Sequence, residues 1–370
     1  MRYRAAPMAE RIGCSILVPV FNEERYIAAS VAAMQRQRFD GELEFIFVDG
    51  RSTDRTREIL EALAREDPRI RVFDNPRRTV SSGLNVALRH ARGEWVARMD
   101  AHTVYPDDYV ARGVLRLKAG GTRWVSGPQR PRGDNLVSKT VALALASPLG
   151  RGGSRKWGSD ARVTGGEFEL DSGVFAGVWS RATLLEYGGW DERWPRNSDS
   201  EMAARFMERG ERLICLPEMS AEYVPRGTIA GLWRQYRGYG RYRERTALAH
   251  PASMRRSHLL APGLVMALGV SLVAPRPLRL AARAGVSIWA LALFGSGAQA
   301  LVGRRPPAEC ALLPIVLATM HLGHGVGTLE GVVRYGVPTD ALKRAAGLRA
   351  TSRPAGDAAL AYAPSLTGEE

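Results

Sequence analysis

Residues 284–303 carry no charged side chain over 20 consecutive positions, and this run limits the possible folds of the chain more than any other feature. About 20 apolar residues, each rising ~1.5 Å in a helix, match the ~30 Å hydrocarbon core of a bilayer. Two more runs flank it: 259–275 is apolar except at its ends, and 310–328 is uncharged, interrupted only by His321 and His324. The alternative is a set of buried helices, but three such runs in succession are hard to bury in so small a unit. The sequence therefore predicts a membrane region at 259–333, with the last two runs long enough to span and the first marginal. The tail at 334–370, rich in Ala, Pro and Gly after Ser352, is expected to be flexible.

The first part of the chain reads differently. Ser15–Val20 and Leu43–Val48 are short β-branched runs of the kind buried on both faces of a parallel sheet, with a helical stretch from Glu24 to Gln37 between them. A second helix is expected from Asp54 as its N-cap, then a strand at Ile70–Phe73, a helix capped by Ser81 or Ser82, and a strand at Trp95–Asp100. This alternation predicts an α/β domain over 1–225 with a doubly wound, mostly parallel sheet, binding its ligand beyond the carboxyl ends of the strands, where Asp49 and Asp100 lie.

Lys and Arg outnumber Asp and Glu by 52 to 38, a formal charge of +14, which suggests an anionic partner: nucleic acid, an acidic membrane surface or a phosphorylated substrate. Cys14, Cys215 and Cys310 are far apart and odd in number, so neither a disulfide framework nor a Cys-x-x-Cys metal site is expected. Met1-Arg2-Tyr3-Arg4 is basic with no apolar stretch behind it, so no signal peptide is expected. Between the two regions, 226–258 interleaves Arg234, Arg237, Arg241 and Arg245 with Trp233, Tyr236 and Tyr239, a pattern suited to the lipid–water interface. Gly238 and Gly240 argue there against a long regular helix.

Chemistry is concentrated at the strand ends. Pro19-Val20-Phe21-Asn22-Glu23-Glu24 follows the first strand and Asp49-Gly50-Arg51-Ser52-Thr53-Asp54 the second. Acids and small residues at such positions commonly turn the chain or cap a helix. Together with Gly83-Leu84-Asn85, Gly93-Glu94-Trp95-Val96 and Asp100-Ala101-His102, the pair resembles the family 2 inverting glycosyltransferases of the GT-A fold. The resemblance continues through Phe175-Ala176-Gly177, Gly188-Gly189-Trp190-Asp191-Glu192 and Ser198-Asp199-Ser200-Glu201, and so covers roughly 14–217. Asp-Ala-His followed by Tyr105-Pro106 is similar to the subgroup that builds succinoglycan-like bacterial exopolysaccharides.

The resemblance implies roles. Asp49 would bond the base or ribose of a nucleotide-diphosphate sugar, most simply a UDP-sugar, with Pro19, Glu23, Ser52, Asn85 and Asp100 as further nucleotide-sugar contacts. The family's D-x-D motif, which holds a divalent cation on the diphosphate, stands here as Asp100 and His102. An imidazole in that set favours Mn²⁺ over Mg²⁺. Asp199 corresponds to the base that deprotonates the acceptor, with Glu201 as substitute, although Ser198-Asp199-Ser200-Glu201 also fits a capping box. Trp190, Asp191, Gln235, Arg237 and Arg241 would meet the acceptor or diphosphate. The implied protein is a multi-pass inner-membrane enzyme whose cytoplasmic domain transfers sugar to a lipid-linked saccharide. Direct transfer to polyprenyl phosphate is the alternative, and a processive synthase would need more spans. A nucleic-acid-binding protein would explain the charge but not the apolar third of the chain. A dinucleotide-dependent oxidoreductase would need Gly-x-Gly-x-x-Gly after the first strand, which is missing.

Overall fold

The computed structural model describes residues 12–152, 154–157 and 166–348. In chain order the elements are β1 (Ile12–Val20), α1 (Ile27–Gln35), β2 (Glu42–Asp49), α2 (Thr56–Glu66), β3 (Ile70–Asp74), α3 (Val80–His90), β4 (Trp95–Arg98), β5 (Thr103–Val104), α4 (Tyr109–Lys118) and β6 (Trp124–Ser126). There follow β7 (Gln129–Pro131), α5 (Leu136–Ala146), α6 (Pro148–Arg151), β8 (Phe168–Leu170), β9 (Gly177–Ser180), α7 (Arg181–Glu186), α8 (Ser198–Glu208), β10 (Leu213–Cys215) and β11 (Ala221–Tyr223). The C-terminal helices are α9 (Ile229–Ala249), α10 (Leu260–Val273), α11 (Arg276–Val302), α12 (Pro307–Tyr335) and α13 (Thr339–Ala345). The N-terminal residues 1–11 and the tail from 349 lie outside the described residues.

The described chain divides into two compact units, one of 12–129 with 166–222 and one of 130–157 with 223–348. The first is built on an eight-stranded sheet in the order β3-β2-β1-β4-β9-β6-β10-β8. β1, β2, β3 and β4 are mutually parallel, whereas β9 runs antiparallel to β4. Strand residues alternate between two cores. Ile16, Val18, Phe45, Phe47, Ala97 and Met99 enter one; Leu17, Ile46, Val48 and Val96 enter the other with Met202 and Phe206 of α8. Strands buried on both faces read as continuous apolar runs, which is why β1 and β2 were legible. From β1 the order runs out through β2 and β3, then returns to add β4 on the opposite side, so the topological switch point lies between the carboxyl ends of β1 and β4.

Several local expectations change. The cap of α3 is Thr79, whose hydroxyl accepts from the Ser82 amide; Ser81 and Ser82 are buried inside the helix and bond to Trp194 and Asn75. Arg55, not Asp54, occupies the α2 N-cap, while the Asp54 carboxylate accepts from the Thr56 amide and hydroxyl. No capping box forms at α8: its N-cap, Asn197, is left-handed at φ 62° with no side-chain cap, and Glu201 pairs with Arg205 instead.

The second unit is helical. Leu232 of α9, Val141, Ala144 and Leu145 of α5, Leu293 of α11, and Leu313, Val316, Leu317 and Met320 of α12 share one core. α9 runs unbroken for 21 residues, contrary to what Gly238 and Gly240 suggested. Gly240 is there for proximity: a Cβ on it would strike the His324 carbonyl of α12. The fit is reciprocal, because Cβ atoms on Gly323, Gly327 and Gly331 would meet the backbone carbonyls of Trp233, Arg237 and Arg241. Three stretches are long and apolar enough to cross a membrane, Arg256–Val273, Arg276–Val302 and Pro307–Tyr335. The first two leave most of their apolar residues uncovered, among them Leu260, Met266, Ile288, Leu291 and Phe294, whereas over half of the apolar stretch of the third is buried.

Candidate functional site

The expected donor residues gather along the carboxyl edge of the parallel strands. Register pairs Pro19 with Val48 and Val20 with Asp49. Asn22 follows at φ 57°, a left-handed corner that its side chain closes by accepting from the Thr53 amide (2.8 Å), while its own amide donates to the Ser52 hydroxyl (2.9 Å). The Asp49 carboxylate is buried and accepts from the Ser52 hydroxyl (2.6 Å) and amide (3.2 Å). The loops after β1 and β2 are thus stitched into one surface. Glu23 fastens to it through its amide, which donates to the Thr56 hydroxyl (2.7 Å).

The side chain of Glu23 turns to β4. Its Oε1 lies 3.0 Å from His102 Nδ1. A carboxylate on one imidazole nitrogen fixes the ring's orientation; with Nδ1 donating, Nε2 is the acceptor nitrogen. This contact joins the two loops across the β1/β4 switch point, and no spacing in the sequence gives it away.

The centre of the site is a residue the motif reading passed over. Alternation along β4 puts Arg98 on the same side as Val96, facing the core that receives α8, and its side chain is only 4% exposed. Arg98 donates from Nε to Asp100 Oδ1 at 3.1 Å, and its Nη1 bonds the Asp199 carboxylate. Burial works against its charge, yet Asp100 and Asp199 outweigh that and raise its pKa above the ordinary arginine value. One guanidinium therefore joins the acid after β4 to the second residue of α8, Asp199, which lies 101 positions beyond the arginine in sequence. The only sequence signal was one charge in the otherwise apolar run Trp95-Val96-Ala97-Arg98-Met99.

Other expected residues are engaged elsewhere. Asn85 is fully buried, its amide bonded to both sides of the Trp190 backbone and to Glu192. It clamps the Gly189–Glu192 turn. Trp190 packs edge-on to Trp179, and Asp191 is held by Arg193. Glu201, the substitute base, is buried against Arg205.

The family 2 glycosyl transferase model matches residues 15–170. Succinoglycan biosynthesis protein ExoA of Rhizobium meliloti is 31% identical over 84% of this chain and 92% of its own length. The chain belongs to the family 2 glycosyltransferases. A dolichyl N-acetyl-α-D-glucosaminyl phosphate 3-β-D-2,3-diacetamido-2,3-dideoxy-β-D-glucuronosyltransferase of Methanococcus voltae is 21% identical over 86% of this chain and 97% of its own. Among solved structures, a mannosyltransferase of Pyrobaculum calidifontis in complex with GDP-Man and Mn²⁺ shares the fold, with a TM-score of 0.52 at 20% identity over 87% of this chain and 90% of that one.

In this glycosyltransferase no group of three His, Cys, Asp or Glu side chains is gathered to hold a metal ion among the described residues. Asp100 and His102 provide one oxygen and one nitrogen donor on a single turn, with Glu23 behind the imidazole. Such a pair fits a divalent cation that completes its shell with diphosphate oxygens and water. Gln235, Arg237 and Arg241 belong to the helical unit. Gln235 donates to the Tyr239 hydroxyl (2.9 Å), and both arginines pair with Glu330 of α12.

Proposed function

We propose that this glycosyltransferase moves a hexose-type sugar from a nucleotide-diphosphate donor, a UDP-sugar foremost, with inversion onto a lipid-linked saccharide in surface polysaccharide biosynthesis. The observation that carries the reading is the meeting of Asp100 and Asp199 on Arg98 beside the switch point. The bacterial relative named for succinoglycan biosynthesis and the fold neighbour that binds GDP-Man with Mn²⁺ support it.

In this reading Pro19, Glu23, Asp49 and Ser52 bind the nucleoside. A carboxylate suits that task because it accepts from base N–H or ribose hydroxyls without a proton of its own. Asp199, ionised, takes the proton of the acceptor hydroxyl while that oxygen forms its bond to the anomeric carbon. The bond from that carbon to the diphosphate breaks on the opposite face, and the configuration inverts. A divalent cation held by Asp100 and His102 would neutralise the departing diphosphate. Asn85 and Trp190 keep the loop beneath the site in shape. The arginine face of α9 meets an anionic leaflet or the carrier's phosphates, and nucleic acid is not a partner. The catalytic unit is cytoplasmic at the inner membrane.

The test is transfer from radiolabelled UDP- and GDP-sugars into lipid extract by membranes carrying the wild type or Asp199→Asn. We expect one donor class to label lipid. The variant should lose transfer by about 10³-fold with donor binding intact, as for a group acting in the transition state. Near-normal turnover by the variant removes Asp199 from the mechanism.

A further inference from the structure

A cation in the interior of a central strand needs a reason. At Arg98 the alternation of β4 asks for an apolar side chain, since Val96 on the same face is fully buried and packs with Leu17, Leu84 and Trp179. Packing alone would be served as well by an apolar residue of similar size, because desolvating a guanidinium offsets most of what its ion pairs return. Stability therefore does not account for it. The start of α8 is tied by the Ser200 hydroxyl, which donates to Asn197 Oδ1 (2.9 Å), rather than by a side chain capping its amides. Asn197 contributes no side-chain cap, and Asp199 is one-quarter exposed in the first turn. The guanidinium of a buried strand is one fixed point for its carboxylate.

We propose that Arg98 is a positioning residue for sugar transfer, holding the Asp199 carboxylate aimed at the corner where Asp100 receives the donor's diphosphate. This rests on the function proposed above. Arg98 reaches no substrate itself, since it is enclosed and its charge is spent on two acids. Its effect is to tie the base on α8 to the diphosphate acid after β4, so that the two ends of the reacting line keep a constant separation. A small misplacement of a catalytic group costs far more in turnover than in binding.

The experiment compares full-length wild type, Arg98→Lys, Arg98→Gln, Asp199→Asn and the double variant Arg98→Gln/Asp199→Asn in membranes. It reads kcat, donor KM, binding of whichever of UDP and GDP the wild type takes up, and Tm. We expect Arg98→Gln to lower kcat by about 10²-fold with KM and nucleotide affinity within about 3-fold, and Arg98→Lys to recover about 10-fold of the loss. The double variant should be no slower than Asp199→Asn alone, because Arg98 acts through that carboxylate. If Arg98→Gln does not fold, Arg98→Lys carries the test: wild-type kcat, or kcat and nucleotide affinity falling together with Tm, overturns the proposal. A further loss of kcat in the double variant overturns it too. A wild type that transfers while Arg98→Gln matches it removes Arg98 alone. A wild type that binds neither nucleotide and transfers nothing overturns the parent reading, and this one with it.

Discussion

His102 is where this chain departs from the motif it resembles, and the departure has chemical consequences. Its ring is oriented by Glu23, as a metal-ligating imidazole usually is by a carboxylate behind it. A mixed nitrogen and oxygen donor pair suits Mn²⁺ better than Mg²⁺. Activity should therefore be higher with Mn²⁺; His102→Asp should keep substantial activity and move the preference toward Mg²⁺, and His102→Ala should raise the metal requirement about tenfold or more. Metal titrations of the three proteins check this, and an unchanged titration for His102→Ala makes the residue structural. Glu44 offers a separate test of the fold. Fully buried, it accepts from the Ser15 hydroxyl (2.7 Å), the Arg92 amide (2.7 Å) and Nε (2.9 Å), and Arg71 (3.0 Å). Burial alone would raise its pKa, but these donors together hold it below the ordinary glutamate value. Its contribution to stability is complete above pH ~4.3 and is lost as pH falls through the lowered native value. Glu44→Gln should cost about 2 kcal/mol near neutrality, with the gap to wild type closing in acid, as thermal melts across pH 7 to 3 would record. Motif residues such as Asp49, Asp100 and Asp199 were legible because strand ends and helix starts announce themselves. Arg98, Glu44 and the Glu23–His102 contact were not, since each is defined by partners brought together only by the sheet.

Elements fix the site through close backbone approach. A Cβ on Gly173 would collide with the carbonyl of Asp199 and come within 3.1 Å of the Ser200 amide, so the chain before β9 presses directly on the first turn of α8. Gly173→Ala should push that turn aside. We expect kcat to fall about tenfold with nucleotide affinity near wild type and a Tm drop matching about 1–3 kcal/mol. Kinetics and a thermal melt on one preparation separate the two effects; equal losses of kcat and affinity would show the damage spreading beyond α8. The periodicity of α9 was visible, and its regularity was not, because helix propensity counts Gly238 and Gly240 against a helix while tertiary packing rewards the missing Cβ of Gly240. The same holds at α8, where the apparent capping box gave way to pairing of Glu201 with Arg205.

At the scale of the molecule, the apolar C-terminal third was the clearest message of the sequence. The assignment of 130–157 to the helical unit was hidden, because the apolar face of α5 looks like that of any buried helix until α12 is seen to receive it. α10 itself has 14 residues, about 21 Å at 1.5 Å each against a ~30 Å core, and the 18-residue apolar stretch Arg256–Val273 is completed only by the 3-10 turn Arg256–Leu259, which carries Arg256 and His258. The topology we propose has two spans, α11 and α12, with α10 in the interface; it would leave Arg304 and Arg305 outside and keep Arg276, Arg279, Arg283, Lys343 and Arg344 on the cytoplasmic side. A C-terminal reporter should then be active only in the cytoplasm, and activity restricted to the outside would favour three spans.

The glycine contacts of α9 and α12 advance by four on both helices, Trp233 with Gly323, Arg237 with Gly327, Arg241 with Gly331, so the two run in the same direction. Neighbouring helices in one chain can do so only if the intervening segment returns to its starting level, and α10 with α11 is that return. The apolar pair is therefore a loop buttoned shut at its base by a seam of backbone against backbone. A chain severed between Arg304 and Arg305 would keep one half of the seam on each fragment, and the two fragments should travel together through a gel-filtration column as one particle.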